Sequence, residues 1–154
     1  MSSNSSAESS GAALSANPLE DFLGYQLRRA SQAMLDDLVA ALSDLKLRPT
    51  SASVLLLVEA NPGITQSRIG QILAIERANM VPMTANLARH GLLTRSRTDG
   101  RSHGLHLTDE GKRVAVKIRK RIADHESKFW RGTKASERAA VLKFLESLWA
   151  EESP

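Results

Sequence analysis

Three arginines, Arg95, Arg97 and Arg101, fall within seven residues around the turn Thr98-Asp99-Gly100-Arg101. Guanidinium groups at that density suit one chemistry above others, the recognition of phosphate by a fork-shaped, permanently charged donor. The flanking segments, Leu93 to Arg97 and Ser102 to Leu107, enclose an Asp-Gly pair. That pair is a hairpin signal, because glycine takes positive φ without steric cost. Leu105 and Leu107 alternate with polar neighbours at the period of a half-buried strand. Arg95 and Arg97 then share one strand face, placed for phosphates. Arg101 at the tip suits a narrow A·T-rich minor groove, whose negative potential attracts arginine. Asp99 can orient that guanidinium through a charge-assisted bond. The plainer alternative is a surface ion pair with no role in binding.

Catalytic chemistry has no comparable pattern. His90, His103, His106 and His125 show no metal-ligand spacing, and His103 and His106 project to opposite faces of their strand. Asp36 and Asp37 are adjacent on a helix and diverge. Gly100 and Gly104 both fall in the hairpin, so no glycine-rich phosphate loop is present. No enzymatic activity, metal or cofactor is expected. The chain has no cysteine, which excludes disulfides and thiol redox sensing.

The charge is unevenly placed. The chain carries +4 overall, yet residues 76–121 hold 11 Lys and Arg against 4 acids. A concentration of this kind marks a polyanion-binding face, or else a solvated basic helix from Lys112 to Arg121. All six aromatic residues lie outside that segment, at Phe22 and Tyr25 or from Phe129 onward. Surfaces for single strands and RNA interleave stacking aromatics with charge, so the pattern favours a duplex.

The elements that must position these residues are legible from their punctuation. Residues 1–16 read as a disordered Ser-rich tail without the basic flank and apolar run of a signal peptide. No apolar run approaches a membrane span, and a cytoplasmic setting is the default. Asn17-Pro18-Leu19-Glu20 is a helix start, and apolar residues from Phe22 to Leu45 recur at steps of three and four. This predicts one long helix over 17–46, ended by Arg48-Pro49. A second helix is expected from a Thr50 cap to Ala60. A short third follows, capped by Thr65, with Ile69, Ile72 and Leu73 facing inward. After a tight turn at Ala74-Ile75, a fourth runs from Arg77 to His90 and ends at Gly91. Pro82 inside it predicts a late start or a kink, and Leu87 should face the core. Behind the hairpin, Thr108 caps a fifth helix that Gly132 breaks, and a sixth spans about 134–151.

The fold class is therefore mainly α with a small β-hairpin. A winged helix-turn-helix over 50–108 is flanked by helices at 17–46 and 109–151, all in a single domain, 17–151. The flanking helices are too apolar to stand alone in water. They are expected to pack across a two-fold axis as dimerisation helices, the alternative being an intrachain bundle. In such a motif the second helix enters the major groove, where Arg77 matches guanine and Asn79 matches adenine. Contact with phosphate alone, or support of the helix start, is the competing role for each. Gln66 and Ser67 open the preceding helix and can donate to a phosphate.

The run from Ile75 to Gly111 resembles the MarR family of bacterial transcription regulators. The pattern is carried by Leu87, Gly91-Leu92-Leu93, Arg95, Asp99, Arg101, Leu107-Thr108 and Gly111. The resemblance implies a homodimer with interlocking terminal helices on a pseudo-palindromic operator. It implies a repressor released by a small phenolic or other anionic compound, bound between the dimerisation helices and the winged domain. Tyr25, Arg29 and Met34, with Val54 and Leu57, are the candidates to line such a ligand site, against a plain packing role. Arg28-Arg29 can meet the carboxylate or phosphate of an acyl-CoA. The chain departs from the family in two places. Ala78-Asn79-Met80 stand where small hydroxyl residues are usual, and Pro82 stands where many members have a basic residue. A protein-interaction module and an architectural DNA coater without ligand response are the alternatives.

Overall fold

The structure is a computed structural model that describes residues 17–98 and 102–150. It falls into two compact units with the boundary inside the first helix, one ending at Met34 and the other beginning at Leu35.

In the first unit, Asn17 does not open the helix. Its Oδ1 accepts from the Leu19 N–H at 3.2 Å, and its backbone carbonyl accepts from the Glu20 N–H. Pro18 thus sits in a side-chain-closed turn, a conformation that Asn-Pro favours. Helix α1 starts only at Leu23 and ends at Ala41. Tyr25 accepts a bond from Asn17 Nδ2 at 3.0 Å, and the Arg28 guanidinium lies 5.7 Å from its ring centre.

In the second unit, a 3-10 turn at Ser43–Leu45 completes the segment expected as a single helix to residue 46. Lys46 then takes a left-handed conformation, φ 54°, and redirects the chain. Helix α2, Pro49–Ala60, begins one residue before the expected cap, with Pro49 in its first turn and Arg48 extended before it. Proline is favoured there because its missing N–H would have had no partner. Strand β1, Ile64–Thr65, leads into α3, Gln66–Ile72, whose first turn is capped by Thr65 as expected. A tight turn at Ala74 leads to α4, Arg77–Arg89. Strands β2, Leu93–Thr98, and β3, Ser102–Leu107, form the expected hairpin, with Leu93 opposite Leu107 and Arg95 opposite Leu105. Helices α5, Asp109–Phe129, and α6, Ala135–Ser147, follow.

The sheet has a third member that periodicity did not reveal. β1 pairs antiparallel with β3, Ile64 opposite Leu105, giving the order β1-β3-β2. Two residues are too short to show alternation. The core beneath is built from Leu42, Leu55, Val58, Ile69, Met80, Leu87, Leu105 and Ile118. Of the three residues of α3 and its end expected inside, Ile69 is buried and Leu73 partly buried, whereas Ile72 is 47% exposed.

Helix α5 carries most of its charge in ion pairs. Lys112 meets Asp109 and Arg113 meets Glu110 one turn away. Arg119 pairs with Glu59, Arg121 with Asp44, and Lys128 with Asp37. The acidic partners Asp37, Asp44 and Glu59 come from the N-terminal half of the chain. Four of the six basic residues that the positive segment places on α5 are thus paired, and among the described residues Lys117 and Lys120 join the arginines of α4 and the hairpin as its share without an ion pair.

Asp37 is the centre of one such cluster. The buried His125 donates to it from Nδ1 at 2.8 Å, and Lys128 Nζ lies 3.0 Å away. His125 also sets its ring edge-on to Phe129 at 5.0 Å. The bond from His125, then that from Lys128, holds the Asp37 carboxyl below its ordinary value of 3.8. A depressed folded value makes the contribution to stability complete above about pH 4, draining away as pH falls through the lower folded value. Asp37→Asn should therefore melt earlier than the parent at pH 7, with the gap closing below pH 4. Thermal melts across pH would show a constant gap if the carboxylate were irrelevant.

Candidate nucleic-acid interface

The sequence folds so that one helix is held by its inner face and offered by its outer face. On α4, Met80, Thr84 and Leu87 are buried, whereas Arg77, Ala78, Asn79, Val81, Pro82, Asn86 and Arg89 are exposed. The helix begins at Arg77, so the late start expected from Pro82 is not seen. Pro82 occupies the sixth helical position and supplies no N–H to the carbonyl one turn back. That carbonyl belongs to the exposed Ala78, where water can replace the lost bond.

The approach of α3 to α4 depends on two residues of the connecting turn. Ala74 takes φ 51°, a left-handed conformation that costs a non-glycine residue about 1–2 kcal/mol. Gly70 lets the Ile75 carbonyl come within 2.9 Å of where a Cβ would stand. The resulting cleft, about 460 Å³, is lined by Ser67, Gln71, Ile75, Arg77 and Val81 among others.

Thr84 is the residue that sequence reasoning missed. Its side chain is fully buried and donates to the Met80 carbonyl at 3.1 Å. The same oxygen accepts from Gln66 Nε2 on α3, and Arg95 Nη2 on β2 lies 3.5 Å from it. One hydroxyl has one proton and two lone pairs, and here all three are engaged. It links the first helix of the motif, the second helix and the base of the wing. The signal was available, since Thr84 is a hydroxyl at the helical phase of Met80 and Leu87.

The expected binding residues are placed as follows. Arg77 and Asn79 are exposed at the start of α4. Ser67 is exposed on α3, whereas Gln66 turns its amide inward to Thr84. Arg95 follows Leu93 on the face of β2 that meets α4, so it reaches Thr84 while remaining exposed. Arg97 stands opposite His103 in the ladder. Asp99 and Arg101 lie outside the described residues. Of the candidates for a ligand site, Val54 is fully buried in the core and Leu57 packs against it. Tyr25, Arg29 and Met34 belong to the first unit, with Tyr25 engaged by Asn17 and Arg28.

The base of the wing is locked to α5. Thr108 Oγ1 accepts from the Gly111 N–H at 2.9 Å and donates to the Gly91 carbonyl at 2.5 Å. The Thr108 N–H donates to the Leu92 carbonyl at 3.1 Å. Gly91, in a left-handed conformation with φ 69°, ends α4 as expected.

A model of the MarR family matches residues 44–102. A solved transcriptional repressor, CouR, bound to a 23-mer DNA duplex, is 36% identical, with a TM-score of 0.82. The alignment covers 88% of this chain and 98% of that one. The chain belongs to the MarR family. CouR solved with p-coumaroyl-CoA is similar to the same degree, 36% identical with a TM-score of 0.80, over 92% of this chain and 100% of that one. The PcaV regulator of Streptomyces coelicolor, solved with its natural ligand, is 27% identical with a TM-score of 0.75, over 92% and 100% of the two chains. A protein of Thauera aromatica, described as a transcriptional regulator for the hcr operon, is 25% identical over 134 residues, covering 85% of this chain and 81% of that protein. In MarR terms, α3 and α4 form the helix-turn-helix, and β2 and β3 form the wing. Among the described residues no helix is long and apolar enough to cross a membrane.

Proposed function

We propose that this protein is a homodimeric repressor that binds a pseudo-palindromic duplex and is released by a small aromatic acid or its CoA thioester. The observation that carries the reading is the exposed start of α4, with Arg77 and Asn79, followed by a wing whose strand β2 carries Arg95 and Arg97; Arg101 follows them in the sequence. Arg77 and Asn79 are assigned to base edges, and the wing arginines to phosphate and minor groove, with Asp99 orienting Arg101. Ser67 is assigned to the backbone. CouR, similar over nearly its whole length, was solved with both a DNA duplex and p-coumaroyl-CoA, which supports the operator and the effector class. A second copy of this chain is the partner assigned to the terminal helices. α6 buries none of its residues, and Val141, Leu142, Phe144, Leu148 and Trp149 are exposed along it and just beyond. An apolar face of that size is an interface waiting for cover.

The test is binding to the DNA upstream of the protein's own gene, with Arg101→Ala as the variant. An arginine contact is worth about 1–3 kcal/mol, and two per dimer put the loss at about 30-fold or more. The melting temperature should not change. Parent binding should also fall by at least about a thousandfold between 50 and 200 mM salt, as phosphate contacts release counterions. Wild-type affinity in Arg101→Ala would remove the wing from the interface. An absence of release by p-coumaroyl-CoA or by free phenolic acids would remove the effector class.

A further inference from the structure

The outward face of α4 is apolar where a DNA-reading helix ordinarily carries hydrogen-bonding groups. Ala78, Val81, Pro82 and Ala85 follow one another at steps of three, one and three, which places them on one stripe of the helix. Val81 is 47% exposed, Ala78 and Pro82 are exposed, and Ala85 is partly so. The stripe lies opposite the buried Met80, Thr84 and Leu87, so it is not a frayed part of the core. Arg77 and Arg89 close its two ends, and Asn79 and Asn86 run along one flank. No acidic residue interrupts α4 between Arg77 and Arg89.

We propose that this stripe reads the 5-methyl groups of thymine in the major groove. The inference rests on the duplex-binding reading above and names what that duplex must contain. The thymine methyl is the one apolar group on the major-groove edge of a base pair. Its partner adenine presents the N6 and N7 pattern that an asparagine amide matches. A stripe of methyl-sized side chains flanked by Asn79 and Asn86 therefore fits A·T pairs from both strands. Arg77 at one end keeps its base-edge role, and Arg89 at the other supplies a charge complement to phosphate. An apolar protein partner would not need the cationic ends.

The test begins with duplexes enriched by the full-length protein from a randomised library. The best of them is resynthesised with deoxyuridine for thymidine, which removes only the methyl groups. Thymines should recur in each half-site, and each contacted methyl removed should weaken binding roughly four-fold, the transfer value of one buried methylene. Val81→Ala, on an exposed position, should shrink the uracil penalty at one thymine per half-site and leave the others. Such a double-mutant cycle separates contact from any general softening of the duplex. Equal affinity for thymine and uracil duplexes overturns the inference while leaving DNA binding intact. A docking surface for protein would give that result, together with unchanged DNA affinity in Val81→Ala. A failure to enrich any duplex overturns DNA binding itself and the inference with it.

Discussion

Gly111→Ala is expected to melt at least about 4 °C below the parent protein, although alanine is the better helix former. Two effects oppose each other. Alanine in place of glycine inside a helix gains at most about 1 kcal/mol. Against that, a Cβ at Gly111 would stand 2.1 Å from the Leu92 carbonyl oxygen and 3.1 Å from its carbon. These are backbone atoms, so no rotamer change relieves the overlap. Moving Leu92 would break its bond to the Thr108 N–H, and moving α5 would break the Thr108 cap. Forced overpacking costs about 1–3 kcal/mol and more where the backbone must shift. The upper end applies here, leaving a net loss of about 2 kcal/mol or more. For a chain of this length that is roughly 2–4 °C per kcal/mol. Gly24→Ala is the control, since a Cβ there meets nothing within 4 Å, and its melting point should hold or rise. Both are read at one protein concentration, because a dimer's melting point depends on it. An unchanged Gly111→Ala would mean that the wing base is not packed on α5 this closely.

Part of this fold was legible beforehand because its helix ends are set by local bonds and angles. Thr65, Gly91, Thr108 and Gly132 end or begin helices through bonds and angles made within a few residues, so their identities announce their roles. The hairpin is equally local. Asn17-Pro18 misled for a local reason too: the same two residues serve a helix start and a closed turn, and the Asn17 bond to the Leu19 N–H decides for the turn. What remained hidden depends on distant partners. β1 exists because β3 passes beside it. The basic face of α5 is compensated by Asp37, Asp44 and Glu59, which lie some 60 to 90 positions earlier. Composition along the chain showed the charge but not which acids would fold against it. Gln66 illustrates the same limit at the interface, since its amide is a plausible phosphate donor until Thr84 is seen to take it.

Thr84→Val should weaken operator binding more than its loss of stability explains. Valine keeps the shape and burial of threonine and removes only the hydroxyl. The Met80 carbonyl keeps its place in the helix, but Gln66 loses its acceptor in a partly buried position. An unsatisfied buried donor costs about 1–3 kcal/mol, partly recovered if the amide turns out to water. That escape is the functional point. Once Gln66 swings out and Arg95 loses its neighbour at 3.5 Å, the two helices of the motif and the wing are no longer fixed to one another through a single oxygen. A duplex must then order them on binding, at about 0.5–1.5 kcal/mol for each immobilised side chain. Two side chains in each protomer of the proposed dimer make the expected loss about 2 kcal/mol or more, near 30-fold in Kd. Thr84→Ser restores the hydroxyl and should restore most of the affinity, even though it leaves a methyl-sized gap and melts earlier than the parent. A purely structural Thr84 would show the reverse order, with valine binding well and serine poorly. Measuring Kd and melting temperature for the two variants side by side therefore separates a residue that positions the reading elements from one that only fills the core.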